Sequence, residues 1–119
     1  MNEKETQRGN IKISEEVINS IVTIAARETE GISSVASAAG IDFFGKKNHS
    51  KSIRTQIVDN TITIDISVLV KYGVIINDVA LKLQEAIAVS VESMTGMAVT
   101  AVNVTVIGIS FDDKTRESK

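Results

Sequence analysis

Apolar and polar residues alternate almost without a break from Thr61 to Tyr72. Ile62, Ile64, Ile66, Val68 and Val70 fall on one side, and Thr61, Thr63, Asp65 and Ser67 on the other. A period of two predicts a long strand with one face covered by helices and the other wet. A second run, Ile53 to Val58, precedes it, and Asp59-Asn60 joins the two. Both linking residues tolerate positive φ, which suits a two-residue hairpin. Pairing Val58 with Thr61 sets Ile57 against Ile62, Thr55 against Ile64 and Ile53 against Ile66, while Arg54 faces Asp65 and Gln56 faces Thr63. A slip by one residue would set isoleucines against polar neighbours throughout, so the pattern specifies this register.

The period changes to helical in two places. Ser14 is an expected N-cap with Glu15 and Glu16 in the first turn, where the helix dipole favours negative charge. Val17, Ile21, Ile24 and Ala25, flanked by Ile18 and Val22, make the expected apolar face of a first helix, and Gly31 its left-handed stop. Asn77 is an expected cap for a second helix with the stripe Val79, Leu83, Ala86, Ile87, Val91 and Met94, ended by Gly96. Its wet side carries Asp78, Lys82, Glu85 and Glu92. Asn10-Ile11-Lys12-Ile13 alternates briefly and reads as a short first strand. Val99 to Phe111 reads as the last strand, with a change of parity near Gly108 that suggests a bulge.

The expected order is therefore β-α-β-β-α-β. It predicts a single α+β domain with a ferredoxin-like, four-stranded antiparallel sheet and both helices on one face; a related sheet with the short first strand at an edge is the alternative. The domain is expected over residues 10–111, including a long Ser-, Ala- and Gly-rich loop at 32–52. A flexible segment at 1–9 and a polar tail at 112–119 flank it.

Composition narrows the function classes. A chain of 119 residues with 43% apolar content suits one core, and a net charge of −2 shows no nucleic-acid or acidic-tail extreme. The absence of cysteine excludes disulfides and thiol chemistry and fits a reducing, cytoplasmic interior. Met1 to Glu5 lacks a secretion-signal pattern, and no apolar run approaches the roughly 18 residues of a spanning helix. Charge is nevertheless segregated: Lys46, Lys47, Lys51 and Arg54 lie in a stretch without acids, which leaves −6 on the rest of the chain.

Catalytic chemistry finds little support. Gly40 to Lys47 matches P-loop spacing until its last position, where Lys47 replaces the hydroxyl residue that would hold magnesium; no strand precedes it and no helix follows. His49 is the single histidine, and without a second His or a Cys it cannot complete a metal site. The carboxylates are accounted for as helix-cap, hairpin and surface charges, so no enzyme, metal or cofactor is expected. Only Tyr72 and Phe111 could stack bases on the strands, no Gly-x-x-Gly loop is present and the chain is acidic, which weighs against RNA and DNA.

Further residues carry a resemblance. Gly9-Asn10-Ile11-Lys12-Ile13-Ser14, Ala26-Arg27-Glu28-Thr29-Glu30-Gly31-Ile32, Val70-Lys71-Tyr72-Gly73, and Val79-Ala80 through Met94-Thr95-Gly96 into Val102-Asn103-Val104 are similar in order and spacing to the alkaline shock protein family, also called the Gls-type general-stress or envelope stress response family of Gram-positive bacteria. The resemblance spans about residues 9–111 and implies a cytoplasmic, non-enzymatic, often self-associating interaction or scaffold protein linked to envelope stress or lipid metabolism. It also implies a membrane-anchored or metabolic-enzyme partner, and hence a membrane-proximal place. The segment Phe43 to Lys51 departs from the family pattern.

Two candidate surfaces follow. Phe43, Phe44, Lys46, Lys47, Lys51 and Arg54 form a candidate partner-binding segment; the alternative function is a regulatory module that binds an enzyme, RNA or an anionic ligand through residues 46–54. Ile107, Ile109 and Phe111, on the parity opposite Val102, Val104 and Val106, together with Val89 on the wet side of the second helix, form a candidate surface for a homo-oligomer.

Overall fold

The computed structural model describes residues 9–35 and 52–111. Their elements are α1 (Glu15–Glu28), β1 (Ile32–Val35), β2 (Ile53–Val58), β3 (Thr61–Lys71), α2 (Ile76–Thr95) and β4 (Ala98–Ser110). The domain is α+β, with two mutually packed helices against a four-stranded sheet.

β3 organises the sheet. Its residues alternate between full burial and partial exposure along the whole strand, and Ile62, Ile64, Ile66, Val68 and Val70 are at most 1% exposed. Against them pack Ile18, Val22, Ala25 and Ala26 of α1 and Val79, Leu83, Ile87 and Val91 of α2. The hairpin has the expected register at all six pairs from Val58↔Thr61 to Ile53↔Ile66. Asp59 and Asn60 take φ of 50° and 68°, the left-handed pair that a two-residue turn requires.

Local chemistry sets the helix ends. Ser14 Oγ accepts from the Val17 N–H at 3.2 Å, and Glu15 and Glu16 occupy the first turn of α1. Thr29 closes the helix, its hydroxyl donating to the Ala25 carbonyl at 2.9 Å, and Gly31 at φ 96° turns the chain into β1. A side chain at Gly31 would start 2.6 Å from Val79 Cγ2, so glycine also permits the close approach of α2. Gly96, at φ 78°, caps the end of α2 by donating its N–H to the Glu92 carbonyl.

Several expectations are corrected. Residues 10–13 form no strand: Ile11 is 93% exposed, and only Ile13 packs against the core. The missing strand is β1, at the start of the stretch read as loop 32–52, where Ile32 and Val35 are buried. The element order is thus α-β-β-β-α-β. β1 and β2 both pair antiparallel with β3, taking its C-terminal and N-terminal halves along one side. The pairing on the other side, β3 with β4, is parallel, so the sheet is mixed rather than wholly antiparallel. The buried face of α1 is rotated from the expected one: Ile18, Ile21, Val22, Ala25 and Ala26 are buried, whereas Val17 and Ile24 are exposed. In α2 Met94 is exposed, and Asn77 lies inside the first turn after Ile75, which makes no side-chain cap.

Candidate protein-interaction edge

The geometry of β4 follows from the hairpin. A two-residue turn makes Val58 and Thr61 the closing hydrogen-bonded pair, and bonded pairs then recur at every second position. Thr61, Thr63 and Asp65 therefore direct their backbone groups to β2, and Lys71 donates to the Gly31 carbonyl next to β1. The intervening residues Ile62, Ile64, Ile66, Val68 and Val70 direct theirs to β4. In a parallel ladder the residue opposite such a position turns away. Those opposite residues are Val99, Val102, Val104, Val106 and Ile109, whose N–H and C=O groups face the outer edge. The Tyr72 N–H bond to the Ser110 carbonyl, 3.0 Å, fixes the same phase at the far end.

Two register shifts interrupt the ladder. One leaves Thr100 extra between Val99 and Ala101, and its hydroxyl donates to the Ile62 carbonyl at 3.3 Å. The other leaves Ile107 extra between Val106 and Gly108, where the change of parity in the sequence suggested a bulge. Gly108 lies opposite Leu69, and a Cβ there would meet Leu69 Cδ2 at 2.8 Å. Beyond the bulge Ile109 shares the side of Val70, yet it stays 47% exposed, with Ile107 at 56% and Phe111 at 60%. Tyr72 and Phe111 stack where β3 and β4 end, ring centroids 5.0 Å apart at 31°.

The outer edge is not uniform. At its start Glu92 Oε2 accepts from the Val99 N–H at 2.9 Å, and Gln84 Nε2 donates to the Val102 carbonyl at 2.9 Å. A shallow groove of about 340 Å³ runs beside these contacts, lined by Leu81, Gln84, Glu85, Ala88 and Val99 to Val102. From Val104 to Ile109 the outward groups meet no side chain among the described residues. Ala98–Ser110 contains neither charge nor proline, the two usual blocks to strand addition.

The other candidate residues are dispersed. Phe43, Phe44, Lys46, Lys47 and Lys51 lie outside the described residues. Arg54 is exposed on β2 opposite Asp65, on the sheet face away from the helices, where Asn103 Nδ2 also donates to Asp65 Oδ1 at 2.7 Å. Val89 is exposed, but it lines a separate groove between the helices with Ala25, Glu28, Lys82, Ala86 and Ser90, away from Ile107, Ile109 and Phe111. Sequence reasoning missed Gln84 and Glu92, because polar residues on the wet side of a helix carry no mark of reaching a strand edge. Among the described residues no three His, Cys, Asp or Glu side chains converge as metal ligands, and no helix is long and apolar enough to cross a membrane.

Two helices over one face of a small α+β sheet relate the chain to the ferredoxin-like class, from whose regular β-α-β-β-α-β antiparallel pattern the element order and the parallel β3–β4 pair depart, and solved structures share the fold. "MamM-CTD 215-293" superposes with a TM-score of 0.52 at 16% identity, covering 80% of this chain and 99% of that one. A manganese form of a MamM CTD variant does so at 0.51, with 16% identity over 80% of this chain and 99% of that one. The chain itself belongs to the alkaline shock protein 23 family, described as having a cell envelope-related function, whose model matches residues 3–111. Relatives include the uncharacterized protein YqhY of Bacillus subtilis (strain 168), 37% identical over 120 residues, or 98% of this chain and 89% of that protein. The uncharacterized protein YloU of the same organism is 33% identical over 112 residues, 90% of this chain and 93% of that one. The uncharacterized protein Spy1614 of Streptococcus pyogenes serotype M6 is 31% identical over 109 residues, 87% of this chain and 90% of that one. The resemblance carried by the sequence motifs and the family membership therefore agree.

Proposed function

We propose that this chain is a non-enzymatic interaction protein of the cell envelope stress response, and that it assembles with copies of itself through the Ile107 to Phe111 end of β4. The observation that carries the reading is the outer edge of β4, an uncharged, proline-free row of outward backbone groups flanked by half-exposed Ile107, Ile109 and Phe111. A sheet edge of this kind is completed by another strand, and a segment without charge can lie against its own copy without repulsion. The assembly would work in the cytoplasm near the membrane, reached through a membrane-anchored or metabolic-enzyme partner. Envelope-related family membership supports that placement.

Gel filtration with light scattering tests the assembly. Wild-type protein at high micromolar concentration should run as an oligomer, and Ile109→Lys should run as a monomer with unchanged helical circular dichroism. A monomeric wild type would overturn the reading.

A further inference from the structure

We infer that Gln84 and Glu92 of α2 guard the first part of β4's outer edge and confine strand addition by a second copy to the part beyond Val102. The inference deepens the reading of β4 as the docking strand, and it rests on hydrogen bonds that reading does not use. Five residues of β4 turn their backbone groups outward. The first offers its N–H to Glu92 and the second its C=O to Gln84, both at 2.9 Å. An incoming strand needs these same two groups for its ladder, so it could pair along Val99 to Val102 only by displacing a carboxylate and an amide. The next three outward residues, Val104, Val106 and Ile109, present no such competitor among the described residues.

Placement supports the assignment. Gln84 and Glu92 are eight residues apart on α2, close to two helical turns and two turns of rise, and so they reach successive points along one strand. Gln84 matches a carbonyl with a donor and Glu92 matches an N–H with an acceptor. Each guard thus has the polarity that its backbone group requires. Neither is needed to fill the core, which α2 builds from Val79, Leu83, Ile87 and Val91.

The test uses the full chain and reads association separately from stability. Gln84→Ala with Glu92→Ala, placed in an Ile109→Lys background, should return the protein from monomer to dimer or larger by light scattering, because the opened Val99 to Val102 segment replaces the blocked one. The amide of Val99 should then be protected from hydrogen exchange only at association-competent concentrations. Glu92→Gln with Gln84 intact keeps an acceptor on the Val99 N–H and should remain monomeric in the same background. Thermal melts identify any variant that unfolds, in which case the single Glu92→Ala variant carries the comparison. A folded double-alanine variant that stays monomeric would overturn the assignment, as would equal association of the Glu92→Gln control. Should the wild type prove monomeric, conversion of it to an oligomer by the two alanines would still support the guards while removing the reading of the Ile107 to Phe111 end.

Discussion

The two parts of β4 make a comparison within one strand. Val102, in the first part, is 9% exposed and lies under α2, with Gln84 tied to its carbonyl. Ile109, in the second part, faces the same side as Val70 but is 47% exposed. Between them the extra residue Ile107 shifts the register. The same β-rich chemistry thus serves as core at Val102 and as surface at Ile109. Exposure along β4 therefore varies although the side chains on that side are equally apolar, while Val70, beside Ile109 on the inner strand, is fully buried.

The largest expected difference is in stability. Val102→Asp should cost about 3 kcal/mol or more, since an unpaired carboxylate would enter the covered layer, and this is a large share of a typical domain's 5–15 kcal/mol. Ile109→Asp should cost about 0.5 kcal/mol or less. Equal losses in thermal melts followed by circular dichroism would erase the distinction between the two parts.

A smaller effect is expected at the bulge. Gly108→Ala brings a methyl group against Leu69 Cδ2, the far end of a flexible side chain, and should cost about 1 kcal/mol. Combination with Leu69→Ala should recover most of that loss in a double-mutant cycle. Absence of coupling would show that the shifted register does not hold Leu69 over Gly108.

The finest distinction is in amide exchange of the monomeric Ile109→Lys variant. The Val99 N–H, held by Glu92, should exchange about tenfold more slowly than those of Val104 and Val106, the equivalent of about 1.4 kcal/mol for a bond to a charged acceptor. Similar rates at all three positions would contradict the difference in edge capping.

How far such features could be read from the sequence depends on how local their causes are. The β2–β3 register was legible because a period of two and the pair Asp59-Asn60 specify it within fourteen residues, Ile53 to Ile66. Ser14, Gly96 and the bulge near Gly108 were legible for the same reason. β1 was not, since Ile32-Ser33-Ser34-Val35 is too short to show alternation, and residues 10–13 imitated a strand better. The parallel partnership of β3 with β4 was also hidden, because alternation fixes which face a side chain takes but not which strand lies alongside or in which direction. Of the candidate interaction residues, the exposure of Ile107 was visible as a parity change, that of Ile109 was not, because the bulge returns it to the side of Val70, and the roles given to Gln84 and Glu92 depend on a contact between elements.

The parallel pairing also bears on the order in which the chain folds. Hairpin contacts between β2 and β3 are local and form on a scale of about 1–10 μs in small hairpins. Thr63 and Thr100, joined across β3 and β4 by their hydroxyls, are 37 positions apart, with all of α2 between them. Closing that larger loop carries a higher entropy cost, so β4 should dock after the hairpin and α2 have taken shape. Until it does, the edge of β3 to which Ile62, Ile64, Ile66, Val68 and Val70 direct their backbone groups has no strand beside it. A ribosome-bound chain ending before Ala98 would hold that side open, and the final thirteen-residue strand is what closes it.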